Sequence, residues 1–154
     1  MNIPRIPSLY PKEEYLVPPK GGLSACSGCA IPLALRYFLK ATGGKVILVV
    51  PPGCSLAIIM FPSSSLMYQG QPITDLVALF GSGAVFASGL KAALEARGDT
   101  ETEVVVWGGD GATYDIGLQT LSGAAERNDN IIYVCCDNEG YQNTGNQRSS
   151  ATTP

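Results

Sequence analysis

The strongest constraint in this chain is a pair of polar, glycine-bearing loops, each preceded by an apolar β-branched run. The loops are GDGATYDIG, Gly109 to Gly117, and DNEGYQNTG, Asp137 to Gly145. The runs before them, Glu103 to Trp107 and Ile131 to Cys136, read as strands, and Ile116 to Arg127 between them reads as a helix. Asp110 and Asn138 stand 28 residues apart. That spacing suits a strand end, a loop, one helix, a second strand and a second loop. Parallel strands joined by a helical crossover bring both loops to one sheet edge, and such a crossover is right-handed by default. The unit therefore predicts that Asp110 and Asn138 meet.

The remaining segments extend the same pattern. Pro32 suits the first turn of a helix whose body, Leu33 to Ala41, stops at Gly43-Gly44. Lys45 to Val50 is a buried strand, ended by Pro51-Pro52-Gly53, with Cys54 just beyond it. Phe61 to Ile73 has no clear period and reads as a loop lining a site or interface, while Asp75 to Phe80 is ambiguous. Gly83 to Arg97 is helical with Gly98 as its stop. The stretch GSGAVFASG is a poor dinucleotide fingerprint, because Phe86 stands where a sixth-position Gly or Ala is required. Small-residue packing between helices is the better reading. The alternation predicts an α/β fold with a doubly wound, mostly parallel sheet. Residues 1–22 carry five prolines and form an extended arm, either a frayed terminus or a segment laid on a neighbouring subunit. Residues 23–154 form one domain.

Composition narrows the classes of function. The chain is 45% apolar and only 15% charged, which leaves little polar surface for a free monomer and predicts partner subunits over much of the outside. With a net charge of −3 and no Lys/Arg cluster, it lacks the electrostatic footprint of nucleic-acid binding. The N-terminus has no continuous apolar core of a signal peptide, and Val46 to Pro62 is too short and too broken to span a bilayer. The expectation is a cytoplasmic protein. There is no histidine, which removes His-based triads and His-metal sites.

The two loops suit a diphosphate held through magnesium. Gly109 and Gly111 flank Asp110 and let backbone approach phosphate oxygens, and Asp110 supplies a hard carboxylate. Asn138 offers a side-chain carbonyl and Gly140 a backbone carbonyl towards the six oxygens that Mg²⁺ prefers. Glu139 reads as a solvated surface residue. Among the cysteines, Cys26 and Cys29 form a C-x-x-C pair and Cys54 follows 25 residues later. By spacing alone, zinc, a redox pair or plain packing all stay open. Cys135 and Cys136 fall within a strand and read as core residues facing opposite sides.

GDG followed by Asn near this distance resembles the thiamine-diphosphate motif. More closely, GDGATYDIG with DNEGYQNTGNQRSSATTP resembles the thiamine-binding β subunit of 2-oxoacid:ferredoxin oxidoreductases, pyruvate-type branch, from about Pro18 onward. The resemblance implies the thiamine-diphosphate-binding fold, with Asp110, Asn138 and Gly140 holding Mg²⁺ and Asn143 near the thiazolium and substrate. It implies a 4Fe-4S cluster on Cys26, Cys29 and Cys54, with a fourth ligand that has no counterpart here. Leu23-Ser24 and Ala30 depart from the family's usual Gly-His and Gly around the pair without removing a ligand.

The resemblance further implies oxidative decarboxylation of a small 2-oxoacid such as pyruvate, with electrons passed to ferredoxin, coenzyme A as acyl acceptor, and other subunits completing an anaerobic hetero-oligomeric enzyme. The family sequence continues past Pro154, so a second chain supplies the rest or this is a fragment without an intact cluster. Two alternatives stand beside this: a thiamine-fold docking subunit without turnover, and a cluster-free thiamine-dependent decarboxylase or synthase.

Overall fold

The computed structural model describes residues 24–60, 67–68 and 71–154. The arm predicted over residues 1–22 lies outside them. The described chain runs α1 (Ile31–Thr42), β1 (Val46–Val50), α2 (Cys54–Met60), β2 (Met67–Tyr68), β3 (Gln71–Pro72), β4 (Thr74–Val77), α3 (Gly83–Ala96) and β5 (Glu103–Gly109). A π-helical turn (Gly111–Asp115), α4 (Leu118–Glu126), β6 (Ile132–Cys136) and a 3₁₀ turn (Gln142–Thr144) follow. The main sheet has the order β4-β1-β5-β6, and its three pairings are parallel.

The register explains why the strands read as continuous apolar runs. Leu48 pairs with Val105 and Val49 with Val106, and partners across a ladder share a face. Leu48, Val50, Val105 and Trp107 pack with Leu35 and Leu39 of α1 and Ile59 of α2. Val49, Val104 and Val106 pack on the other face with Ala87 of α3. With helices on both faces, neither set of alternate residues meets water, so the runs do not alternate in polarity. Pro32 sits in the first turn of α1, and Gly43, at φ 65°, ends the helix. The Gly44 N–H then reaches back to the Leu39 carbonyl at 3.1 Å, satisfying one of the orphan acceptors at that end.

Four local expectations change. Cys54 opens a helix, α2, that periodicity does not reveal, because CSLAIIM is seven residues long and has no polar stripe. Within Phe61 to Ile73, residues 67–68 and 71–72 pair antiparallel, so that stretch is not simply a loop; residues 61–66 and 69–70 lie outside the described set. The ambiguous segment after Ile73 is the edge strand β4, paired to β1 from Thr74 to Val77. The small residues of α3 face the sheet as well as another helix. A Cβ on Gly83 would stand 2.8 Å from Val106 Cγ1, and Ala87 belongs to the core against β1 and β5.

The chain moves from β1 out to β4 on one side, and from β5 out to β6 on the other. The order therefore reverses between β1 and β5. A crevice opens at the carboxyl ends of strands at such a switch point. Pro51 to Cys54 and Asp110 are the residues that emerge there.

Candidate cofactor site

A cavity of about 250 Å³ lies at the switch point. Asp110, Gly109 and Gly111 line it from the end of β5, Asn138, Gly140 and Asn143 from beyond β6, and Cys54 from the start of α2. The predicted meeting of the two loops is thus what the fold produces. Asp110 is 3% exposed, and a buried carboxylate needs a partner. The described partner is Ser149, whose Oγ donates to Asp110 Oδ2 at 2.5 Å. Asn138 is exposed; its amide donates to Cys54 Sγ at 3.6 Å, and its backbone carbonyl accepts from Gln142 Nε2 at 3.1 Å. Gly140 is buried, and its carbonyl takes the Gln142 N–H at 2.9 Å, which uses one of two lone pairs. Asn143 is exposed on the 3₁₀ turn at the cavity rim. Glu139 is exposed, as expected, and holds a left-handed φ of 61°.

The glycines of the first loop serve packing in a way spacing does not reveal. A Cβ on Gly111 would stand 2.3 Å from Tyr141 Cε1, so the missing side chain is the seat of the Tyr141 ring. Phe80 packs edge-on to that ring at 6.3 Å between centroids. Gly109 is less crowded: a Cβ there would meet only the Cys136 carbonyl oxygen, at 4.0 Å, which leaves room for a ligand at that point.

Sequence reasoning overlooked four residues that fasten the second loop to the first. Tyr141 donates its hydroxyl to Asp115 Oδ2 at 2.6 Å. Ser150 donates to Asp115 Oδ1 through its backbone N–H at 3.2 Å and through its hydroxyl. With Ser149 on Asp110, the segment after Asn146 closes over the π-helical turn. The only signal in the sequence was Asp115 five residues after Asp110, and a second acid in a turn is too common to single out.

This fastening is pH-dependent. The Ser150 hydroxyl, and then the Tyr141 hydroxyl, hold the Asp115 carboxyl below its ordinary value. The same contact with Asp115 pushes Tyr141 up to about 12. A depressed carboxyl contributes stability above its unfolded value of about 4 and loses it as pH falls through the lower folded value. Hydrogen exchange over residues 146–152, corrected for intrinsic rates, should therefore stay slow from pH 5 to 8 and accelerate below about pH 4. Asp115→Ala should remove that acid step.

The cysteines fit their expected group incompletely. Cys26 and Cys29 are joined by a tight turn, Cys29 N–H to the Cys26 carbonyl at 3.0 Å, with Gly28 at φ 77°. Among the described residues, no three His, Cys, Asp or Glu side chains are gathered as a metal site. Three thiols are also one short of the four a 4Fe-4S cluster takes. Cys136 packs against the α1 and α2 core, and Cys135, adjacent to it in β6, takes the opposite face and belongs to neither core cluster. Cys136 is nevertheless more than core, because it also lines the cavity. Burial pushes its thiol up to about 11, with Cys135, Cys29 and Cys54 adding repulsion.

These loops can be compared with known proteins. The model for the thiamine pyrophosphate enzyme, C-terminal TPP binding domain, matches residues 69–154, a span that takes in both loops and every residue of the fastening. The chain belongs to this family. It is 45% identical over 142 residues to pyruvate synthase subunit PorB of Methanothermobacter marburgensis, covering 92% of this chain and 47% of that one. It is 43% identical over 147 residues to ketoisovalerate oxidoreductase subunit VorB of Pyrococcus furiosus, covering 92% and 45%. Among solved structures, it resembles 2-oxoglutarate:ferredoxin oxidoreductase from Magnetococcus marinus with 2-oxoglutarate, coenzyme A and succinyl-CoA bound. That match has a TM-score of 0.69 and 26% identity over 93% of this chain and 45% of that one. This TPP-binding domain therefore has the α/β fold expected from its strands, and it spans about half the length of the relatives it matches.

Proposed function

We propose that the chain is the thiamine-diphosphate-binding part of a 2-oxoacid:ferredoxin oxidoreductase subunit, working with other subunits in a cytoplasmic complex. One observation carries the reading: Asp110, Asn138 and Gly140 line one cavity at the switch point of a TPP-binding domain. Asp110 supplies the charge that holds Mg²⁺ against a diphosphate, and Asn138 and Gly140 supply neutral oxygens. Gly109 lets the backbone come close to phosphate, and Asn143 stands at the rim where a substrate would enter. Bound there, thiamine diphosphate supplies the electron sink for loss of CO₂ from a 2-oxoacid. Pyruvate and branched 2-oxoacids are the favoured substrates, in keeping with the names of the PorB and VorB relatives, and coenzyme A and ferredoxin are the proposed acceptors.

Partner subunits are supported by the apolar surface beside the cavity. Leu79 is 81% exposed, and Phe80, Val85, Phe86, Ile116 and Leu118 are exposed with it. Gly81 lies against the Ile116 backbone, so the segment leading into α3 adjoins the one leading into α4. Among the described residues, no helix is long and apolar enough to cross a membrane.

Anaerobic viologen reduction by the assembled complex tests the reading. Pyruvate or a branched 2-oxoacid should support Mg²⁺- and thiamine-diphosphate-dependent reduction, and absence of any cofactor-dependent reduction with either would refute it. A 4Fe-4S cluster on Cys26, Cys29 and Cys54 with a fourth ligand from elsewhere belongs to the same proposal. Iron and sulfide analysis of the anaerobic complex decides between this and the cluster-free alternative, against which the C-x-x-C pair with Cys54 speaks.

A further inference from the structure

Ligation of Mg²⁺ by Asp110 depends on how a buried carboxylate is turned, and one hydroxyl governs that. Asp110 and Ser149 are each 3% exposed, and Ser149 Oγ donates to Asp110 Oδ2 at 2.5 Å. The direction of this hydroxyl is itself set, because Ser149 Oγ accepts the Ala151 N–H at 3.2 Å, leaving its proton for the carboxylate. The Ser149 N–H donates to Thr152 Oγ1 at 2.9 Å, and Thr152 Oγ1 donates to the Glu139 carbonyl at 2.5 Å. Glu139 lies between Asn138 and Gly140, so the turn that aims Ser149 is tied to the loop carrying the other two candidate ligands.

We propose that Ser149 is a positioning residue for the metal: it holds Asp110 Oδ2, presents Oδ1 to the cation, and keeps the Asp110 and Asn138 loops in one register. The inference rests on the Mg²⁺-thiamine-diphosphate reading above. A carboxylate that already has one oxygen engaged meets the cation without having to find its orientation, and losing such outer partners weakens metal sites by 10- to 100-fold. Ser149 is buried behind Asp110 and is not among the residues that line the cavity, so its effect belongs to the Mg²⁺ requirement and not to the number of sites.

The test is a Mg²⁺ titration of the assembled complex at saturating thiamine diphosphate, with cofactor binding followed by calorimetry. Ser149→Ala should raise the half-saturating Mg²⁺ concentration about tenfold while excess Mg²⁺ restores full cofactor occupancy. Ser149→Thr, which keeps a hydroxyl, should recover much of the loss. A merely structural role predicts the opposite split, fewer sites at an unchanged Mg²⁺ requirement, and would overturn the inference. A Ser149→Ala complex with the wild-type Mg²⁺ requirement also overturns it, and if Asp110→Asn still abolishes binding the metal-site reading survives. Wild-type binding that needs no Mg²⁺ removes both.

Discussion

Asp110→Asn should keep the fold and weaken magnesium-dependent thiamine diphosphate binding by more than about a hundredfold. The estimate exceeds the 10- to 100-fold typical of partners that only orient a ligand, because the substitution removes the charge at the metal itself. The amide matches the carboxylate in size and still offers an oxygen to the Ser149 hydroxyl, so packing is conserved. Neutralising a group that is 3% exposed also removes a desolvation cost. The cofactor-free variant should therefore melt at or slightly above the wild-type temperature. Calorimetric titration of cofactor and Mg²⁺ together, alongside thermal unfolding without them, separates the two effects. Binding within tenfold of wild type would show that Asp110 is not a metal ligand.

The parts of this molecule that were legible in the sequence are those where one physical demand dominates. Val46 to Val50 and Val104 to Trp107 are apolar because both sheet faces are covered, and that produces the uninterrupted runs from which the parallel sheet was inferred. Asp110 and Asn138 were legible as a pair because the strand-helix-strand spacing leaves both at one edge. The resemblance added the identity of the cofactor, which the geometry alone does not supply. What stayed hidden depends on contacts distant in sequence. Ser149 and Ser150 look like two hydroxyls in a polar tail until the chain returns across the π-helical turn. The reason for Gly111 is the Tyr141 ring, thirty residues on. Helix α2 was hidden for a local reason: a seven-residue apolar segment has too few turns to show a period.

The largest effect on stability should come from Gly117→Ala. Gly117 is buried and caps the start of α4 at φ −91° and ψ −8°, in the bridge region that is open to L-residues and needs no glycine. The space around it does. A Cβ there would stand 1.8 Å from the Ala112 carbonyl oxygen and 3.7 Å from Gly81 Cα, and a carbonyl within the π-helical turn cannot swing aside as a side-chain end can. Relief requires moving the turn that carries Asp115, or shifting α4 away from the 81 loop, where Thr120 Oγ1 donates to the Gly81 carbonyl at 2.8 Å. The cost should reach or exceed about 3 kcal/mol, the upper end for overpacking, and lower the melting temperature by roughly 10 °C for a domain of this size. Gly89→Ala provides the internal comparison. Gly89 lies exposed in α3, and a Cβ there meets nothing within 4 Å. The same substitution should stabilise by about 0.5–1 kcal/mol through helix propensity. Thermal unfolding of the two variants side by side should move the midpoint in opposite directions. Equal melting temperatures would mean that Gly117 does not lie against the Ala112 carbonyl as described.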